Sequence, residues 1–482
     1  MENKFLNSLK NEGNIYYTEN GAKSLKESGS SLVDFFFRCG VLMNSPNRFE
    51  KLFLNAFVED KEKAIRILFY SRDIRGGQGV RRTFRYVLKK IGNLYPDIAK
   101  QIIKYVPEYG RWDDLYAFVG TKVERDAFEF MYSQIIEDIE NYKIKRPISL
   151  LAKWLKSENT SSKKSVELAK KTRRYFKMDS KTYRKMLSEL RKYIKIVERD
   201  MSENKWEEIE YEKVPSRAMK KYYNSYKRHD GERFEKYIEE VKQNKKKINA
   251  ATLYPHDIVS MVIDEENDTA EALWKNLPDY NIEEDAIAVV DVSGSMYGQP
   301  ITVAISLGIY FAERNKGKFK NKFITFSANP ELQEIKGETL YEKVQTLSTA
   351  YWDMNTDLIK VFKLILNTAV KYGYNDKELP KKIYIISDMQ FDIAVEDNYN
   401  TNYETIRKMY EEKGYSIPKI VFWNVSEYGN DVSVKCDQNG TALISGYNPV
   451  ILEYIIQGKD VNPYELMERV VDSERYKNIV IN

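Results

Sequence analysis

Through the first 282 residues, apolar side chains return every three or four positions, in blocks separated by short polar breaks. That spacing paints one apolar stripe along a helix, and it predicts helices over 31–44, 48–72, 80–91, 96–106, 112–119, 125–142, 149–155, 165–175, 180–201, 216–226 and 231–243. Strand signals are nearly absent. Each stripe must be covered by another helix, and antiparallel pairs of this length are what HEAT-like solenoids stack, although no fixed-period repeat runs through the chain.

Past residue 282 the pattern changes. Short apolar runs at 288–290, 323–326, 383–386 and 420–425 alternate with amphipathic patterns over 301–314, 358–372, 403–413, 451–457 and 464–476. Strands alternating with helices read as an α/β, doubly wound, mostly parallel sheet. Between 432 and 445 the rhythm differs: Val432, Val434 and Cys436, a turn at Asn439-Gly440, then Ala442 and Ile444 predict a hairpin at the sheet edge. The chain therefore divides into an all-helical domain, 1–282, and a sheet domain, 283–482. An acidic interruption at 265–271 precedes the linker, near 278–285.

The chemistry lies where the apolar runs stop. Ala288-Val289-Val290 ends in Asp291, Ser293 and Ser295, an acid and two hydroxyls just beyond the C-terminal end of a buried strand, where an open α/β sheet places its ligand. Three hard oxygen donors with no His or Cys nearby suit Mg2+ or Mn2+. Asn355-Thr356-Asp357 stands just before the next helical pattern, so Thr356 offers a hydroxyl at a helix N-terminus. The run 383–386 leads into Ser387-Asp388, a second strand ending in a carboxylate. These residues, in this order, resemble the metal-ion-dependent adhesion site of a von Willebrand factor A domain, and the resemblance extends from about residue 285 to the C-terminus. It implies that Ser293, Ser295 and Thr356 give hydroxyls to the ion. Asp291 and Asp388 would act mainly through waters, and the sixth position would be left for an acidic group of a protein partner.

Composition and charge narrow the choice. At 482 residues and 42% hydrophobic, the chain can bury a large core in two or more domains. The N-terminus is polar and mixed in charge, and no run is long enough to span a bilayer, so neither a leader nor a membrane partner is expected. Two cysteines, Cys39 and Cys436, fall in different predicted domains, which favours a reduced, intracellular, cytoplasmic protein. The net charge of +5 hides an asymmetry: residues 1–282 hold 55 Lys and Arg against 43 Asp and Glu, while the remainder holds 22 against 29. The helical half is basic. Its densest stretch, 151–200, carries Lys163, Lys164, Lys170, Lys171, Arg173, Arg174, Arg184 and Lys185 with interleaved Tyr175, Phe176, Tyr183 and Tyr193. Such a face can meet phosphates and stack unpaired bases; a solvated helix surface is the bland alternative.

Enzymatic chemistry is not expected. The only histidines, His229 and His256, lie far in sequence from Ser293 and Ser295, no Gly-x-Ser-x-Gly elbow occurs, and neither cysteine has an activating context. Gly76, Gly77 and Gly79 precede a helix start flanked by Arg75, Arg81 and Arg82. They could cradle a phosphate on backbone amides or only turn the chain tightly; no Gly-Lys-Ser/Thr follows, so this is no nucleotide-hydrolysing loop. Trp112-Asp113-Asp114 reads as a capped helix start with a buried indole.

Several motifs of the helical half add a second resemblance. Arg72-Asp73-Ile74-Arg75-Gly76-Gly77-Gln78-Gly79-Val80-Arg81-Arg82, Tyr109-Gly110-Arg111-Trp112-Asp113-Asp114-Leu115, Ala152-Lys153-Trp154-Leu155, Tyr183-Arg184-Lys185-Met186-Leu187 and Val214-Pro215-Ser216-Arg217-Ala218 are similar to signature segments of Ro autoantigen-like (TROVE-like) proteins. Members of the uncharacterised branch occur in plants, fungi and large DNA viruses, so the chain could be virus-encoded. The resemblance implies a ring of HEAT-like helices closed by the von Willebrand factor A domain at its first and last helices. It further implies small structured or misfolded RNA on the outer basic surface and a single-stranded end in the hole. A protein-assembly or virion-associated module that uses the ion without nucleic acid is the alternative.

Overall fold

The computed structural model describes residues 9, 11–280, 282, 285–326, 329–349, 356–392, 400–429, 431–456 and 462–482. Asn355 and the last residue of the helix predicted over 451–457 lie outside these. The helical half opens on Ser31–Cys39, whose apolar residues cover a wide face while Asp34 and Arg38, one turn apart, share the other side. Leu32 to Cys39 are all buried. Ser30 caps the helix by accepting the Val33 amide at 3.4 Å, and the Glu59 carboxylate takes the Ser31 amide at 2.6 Å, a negative charge at the positive end of the helix.

The single run 48–72 is two helices, Pro46–Glu59 and Lys61–Arg72. Asp60 separates them: it is extended (φ −152°), and its carboxylate accepts the Lys63 amide at 2.9 Å. Arg82–Leu94, Pro96–Ile102, Glu124–Lys143, Lys163–Tyr175, Ser180–Tyr193 and Val197–Ser202 follow, Lys163–Tyr175 and Ser180–Tyr193 both packing on Glu124–Lys143, then Ser216–Lys242 with a break at Asp230. Trp112–Phe118 winds as a 3-10 turn.

Two short strands precede this series, β1 (Ile15–Tyr17) and β2 (Lys23–Leu25), paired as an antiparallel hairpin. The sheet of the second half contains β3 (Ala286–Val290), β4 (Lys322–Thr325), β5 (Leu332–Glu334), β6 (Lys382–Ser387), β7 (Lys419–Asn424) and β8 (Thr441–Ser445), in the spatial order β5-β4-β3-β6-β7-β8. All neighbours are parallel except β5, which runs antiparallel along β4. The chain builds outward from β3 to one edge and then returns to build from β6 to the other. The order reverses between β3 and β6, and the crevice at their C-terminal ends is where such sheets hold ligands. This is the expected α plus α/β architecture.

The predicted hairpin over 432–445 does not form. β8 is a parallel edge strand, and the segment before it pairs elsewhere, Val432 bridging Leu25 and the Cys436 amide reaching the Ser28 carbonyl at 2.8 Å. Asn439-Gly440 only turns the chain into β8, Gly440 taking a φ of 73°. The edge left by β8 is covered by helix Ser31–Cys39, and all five β8 residues are buried.

The sheet domain closes the helical series at both ends. Helix Pro463–Val471 packs on Ser31–Cys39, Lys61–Arg72 and β8. Around it Lys63 pairs with Glu468, Arg66 with Asp472 at 2.5 Å, and Arg475 with Asp73, which also accepts the Tyr476 hydroxyl at 3.0 Å. At the far end, helices Pro255–Val259 and Asp268–Lys275 pack on Gln299–Arg314 and Leu340–Ser348. There the Trp274 indole donates to Glu313 at 2.7 Å and Lys343 pairs with the same carboxylate at 2.7 Å.

Candidate functional site

β3 and β6 pair in register from Ala286↔Lys382 to Val290↔Ile386, which sets Asp291 beside Ser387 and brings Asp388 to the same edge. Asp291 is fully buried, accepting the Ser387 hydroxyl at 2.6 Å and the Ser293 amide at 2.9 Å. Burial first, and then the nearby Asp388 charge, push its carboxyl up to about 6. Asp388 is 1% exposed, and among the described residues neither carboxylate forms an ion pair with Lys or Arg. Two buried acids side by side without a cation is an arrangement that a metal ion neutralises. The Ser293 and Ser295 hydroxyls stand 3.1 Å apart, and Ser295 is exposed. The donors fit a hard divalent ion. Among the described residues no group of three or more His, Cys, Asp or Glu side chains could hold a metal, so any ion here depends on the hydroxyls.

Thr356 joins the same edge through the loop after Asp388. Its hydroxyl lies 2.9 Å from the Gln390 carbonyl and 3.1 Å from Asp392 Oδ1, and its amide donates to Asp392 Oδ2 at 2.8 Å. Met389 between Asp388 and Gln390 holds a left-handed φ of 68°, a conformation that costs a non-glycine residue about 1–3 kcal/mol and that clusters at functional loops. The ligand edge is not simply open. Ser295 and Tyr297, 89% exposed, face solvent, but the turn of the β1–β2 hairpin lies over the Thr356 side. Asn20, Gln390, Asp392 and Asp431 are thus part of the neighbourhood, and no local sequence signal marks them.

The helical half carries a second feature, a half-open cavity of about 1180 Å³. Arg81, Arg111 and Lys153 line one part, Arg184 and Arg191 another, and Arg199, Arg217 and Lys221 a third, with Arg72 behind; Glu158 and Glu198 are the acids on its wall. Trp154 and Tyr222 add aromatic surface, and the Arg111 guanidinium stacks 3.9 Å over the Trp154 ring. Asp113 and Asp114 hold the guanidiniums in place from behind: Asp114 pairs with Arg72 at 2.8 Å and with Arg85, and Asp113 pairs with Arg85 at 2.9 Å and Arg111 at 3.0 Å. Burial works against the Asp113 charge, but Arg85, Arg111 and Lys156 outweigh it and hold its carboxyl below the usual range.

Of the basic residues singled out by sequence, Arg81 and Arg184 reach this cavity. Lys171 and Arg173 are turned into ion pairs with Glu124 at 2.7 Å and Glu158 at 2.9 Å, and Lys185 lies 3.8 Å from Glu189 on its own helix. Arg75, Arg82, Lys163, Lys164, Lys170 and Arg174 line no part of the cavity, and all six are exposed. Arg191 belongs to the basic stretch 151–200 and Arg111 and Arg217 to the quoted motifs, but their convergence with Arg199 and Lys221 is not legible in sequence, because Arg111 precedes a 3-10 turn and the other four come from three helices, Arg217 and Lys221 sharing one.

The glycine loop is a joint between the halves. Gly76 lies against the Arg475 side chain, Gly77 against the Tyr70 carbonyl, and the Gly77 carbonyl accepts the Asn448 amide at 2.6 Å. The loop makes a tight turn between helices Lys61–Arg72 and Arg82–Leu94. Trp112 is stacked on Phe130, and Arg111 and Asp114 close the turn through the Arg111 amide at 2.9 Å. His229 stacks on Trp206 and His256 packs edge-on against Tyr447; neither is bonded to a serine of the ion site. No helix among the described residues is long and apolar enough to cross a membrane.

Comparison with known proteins gives a family and no activity. Across 97% of its length the chain is 29% identical to uncharacterized protein L728 of Acanthamoeba polyphaga mimivirus, of which it covers 89%. It is also similar to the Ro (RSR) protein of Deinococcus radiodurans, at 12% identity and a TM-score of 0.45 over 94% of this chain and 95% of that one. Residues 285–479 match a domain of unknown function, DUF7788. Residues 18–125 and 148–292, more than half of the chain, match another, DUF2828, and the protein belongs to that DUF2828 family.

Proposed function

We propose that this protein is a non-enzymatic RNA-binding scaffold: the helical half binds RNA, and the sheet domain holds a divalent ion that recruits a protein partner. The cavity carries the RNA reading. Nine cationic side chains line it; Arg72, Arg81, Arg111, Arg199 and Arg217 pair with acids behind the wall, and the surplus from Lys153, Arg184, Arg191 and Lys221, with an indole and a phenol among them, suits a phosphate backbone and stacked bases. A single-stranded segment fits there, and the exposed cations Lys163, Lys164, Lys170 and Arg174 offer a further surface to structured RNA, in keeping with the Ro-like resemblance.

The test is fluorescence anisotropy with a 20-nucleotide oligouridine and with an RNA hairpin. Affinity should fall steeply with salt, and R184E/K221E should weaken oligouridine binding at least tenfold, lowering the salt slope by roughly 0.7 for each phosphate that is no longer neutralised. Unchanged affinity in that variant, or no binding of either RNA at low salt, overturns the RNA reading and favours ion-dependent assembly with protein alone.

For the ion, Asp291, Ser293, Ser295, Thr356 and Asp388 are the holding residues. Bound Mg2+ or Mn2+ supplies an exchangeable position for a carboxylate of the partner. Magnesium at 100 times its dissociation constant should stabilise the fold by about 2.7 kcal/mol. S293A/S295A should keep the fold and lose that gain; a melting temperature that still rises with magnesium in the variant removes the assignment.

A further inference from the structure

The turn between β1 and β2 touches the proposed ion site across most of the chain. Asn20 Nδ2 donates to Thr356 Oγ1 at 3.1 Å and to the Gln390 carbonyl at 2.8 Å. Just before it the Thr18 hydroxyl donates to the Phe391 carbonyl at 2.7 Å, and the Glu19 amide donates to Gln390 Oε1 at 2.9 Å. The other end of the Gln390 carboxamide is held by Asp431 at 3.0 Å, which in turn accepts the Ser24 hydroxyl of β2 at 2.9 Å. Three consecutive residues of one turn thus grip the segment that follows Asp388.

The hydroxyl inventory gives this arrangement its meaning. A threonine hydroxyl has one proton and two lone pairs. The Thr356 proton points to the Gln390 carbonyl or Asp392, both within 3.1 Å, and one lone pair takes the Asn20 amide. One lone pair is left. The rotor is fixed with its remaining acceptor position available to an ion, and a donor arranged in advance binds a cation at lower entropic cost than one that must be ordered on binding.

We infer that the β1–β2 turn is a positioning element of the ion site, with Asn20 orienting the Thr356 hydroxyl and the turn as a whole holding the Asp388 loop. This rests on the ion reading above. Because binding couplings are reciprocal, ion affinity then depends on the docked hairpin and the hairpin is held more firmly when the ion is bound. The N-terminal segment becomes part of the site that the sheet domain was expected to build alone.

Isothermal titration of the full chain with MgCl2 and MnCl2, on the wild type, N20A and S293A/S295A, gives the affinities. Hydrogen exchange of residues 15–25 with and without magnesium gives the reciprocal effect. N20A should bind magnesium about tenfold more weakly, the range seen when groups behind a ligand are removed. Magnesium should slow exchange in the wild-type hairpin and leave it unchanged in S293A/S295A. A variant that melts earlier but keeps the wild-type affinity makes Asn20 merely structural and overturns the inference, as does tighter binding, which would mean the amide competes with the ion. If the wild type binds magnesium and N20A binds it equally well, this inference fails alone; if the wild type binds neither metal, the ion reading fails and takes it along. Should N20A not fold, the wild-type exchange experiment decides by itself.

Discussion

Replacing Asp114 by Ala is expected to destabilise the protein by about 3–5 kcal/mol, the range for removing one partner of a buried ion pair. Asp114 has no exposed surface and binds Arg72, whose side chain is 5% exposed, together with Arg85 and the Arg111 amide. Its loss leaves the Arg72 guanidinium buried beside Arg81, Arg85 and Arg111 with only Asp113 to offset them, so the local charge becomes more positive in a place that water cannot easily screen. Urea unfolding measures the loss, and a change below about 1 kcal/mol would mean that the neighbouring acid compensates. The pH dependence has a definite sign. Asp113 has its carboxyl held below the ordinary value of 3.8, so its contribution is complete above that value and disappears as the pH falls through the depressed one.

Gly77→Ala should cost at least the upper part of the ~1–3 kcal/mol range for overpacking. A Cβ there would stand 1.9 Å from the Tyr70 carbonyl oxygen and 3.1 Å from that of Asp73, both backbone atoms that cannot swing aside. The Tyr70 carbonyl accepts the Gln78 amide at 3.0 Å and the Gly77 carbonyl accepts Asn448 at 2.6 Å, so the strain falls on the seam between the halves. Gly231→Ala is the matched control, since nothing lies within 4 Å of its added carbon. The control should unfold within a few tenths of a kcal/mol of the wild type by the same urea measurement, or slightly later. Equal behaviour of the two variants would contradict the joint described for residues 76–79.

What could be read in advance follows the range of the interactions. β3 and β6 are buried on both faces, so their apolar runs and the acids that end them stand out locally, and Asp291, Ser293 and Ser295 come from one turn of chain. Asp60 illustrates a local signal that periodicity overrode: it is a good N-cap residue, but the apolar spacing continues through it from Phe57 to Ala64. The segment 432–436 has strand-like alternation, yet its partner is the N-terminal hairpin, some 400 residues away, and not the strand beyond Asn439-Gly440. Arg199 and Arg217 carry no mark of a shared cavity until the helices are folded, because charge on one helix says nothing of the helix it will face.

The hairpin at residues 15–25 has a consequence for how the molecule is made. Thr18 leaves the ribosome 373 residues before Phe391, its hydrogen-bond partner. At roughly 5–20 residues per second, β1 and β2 wait about 20–75 seconds with neither the 388–392 loop nor Val432 in existence. The buried helix Ser31–Cys39 waits longer still for β8 and for Pro463–Val471, which cover it from the sheet side. A strongly apolar helix is therefore exposed on the nascent chain until translation is nearly finished. Any truncation that removes the C-terminal helix leaves that surface permanently uncovered, and such a fragment should aggregate during synthesis even though most of its helices are intact.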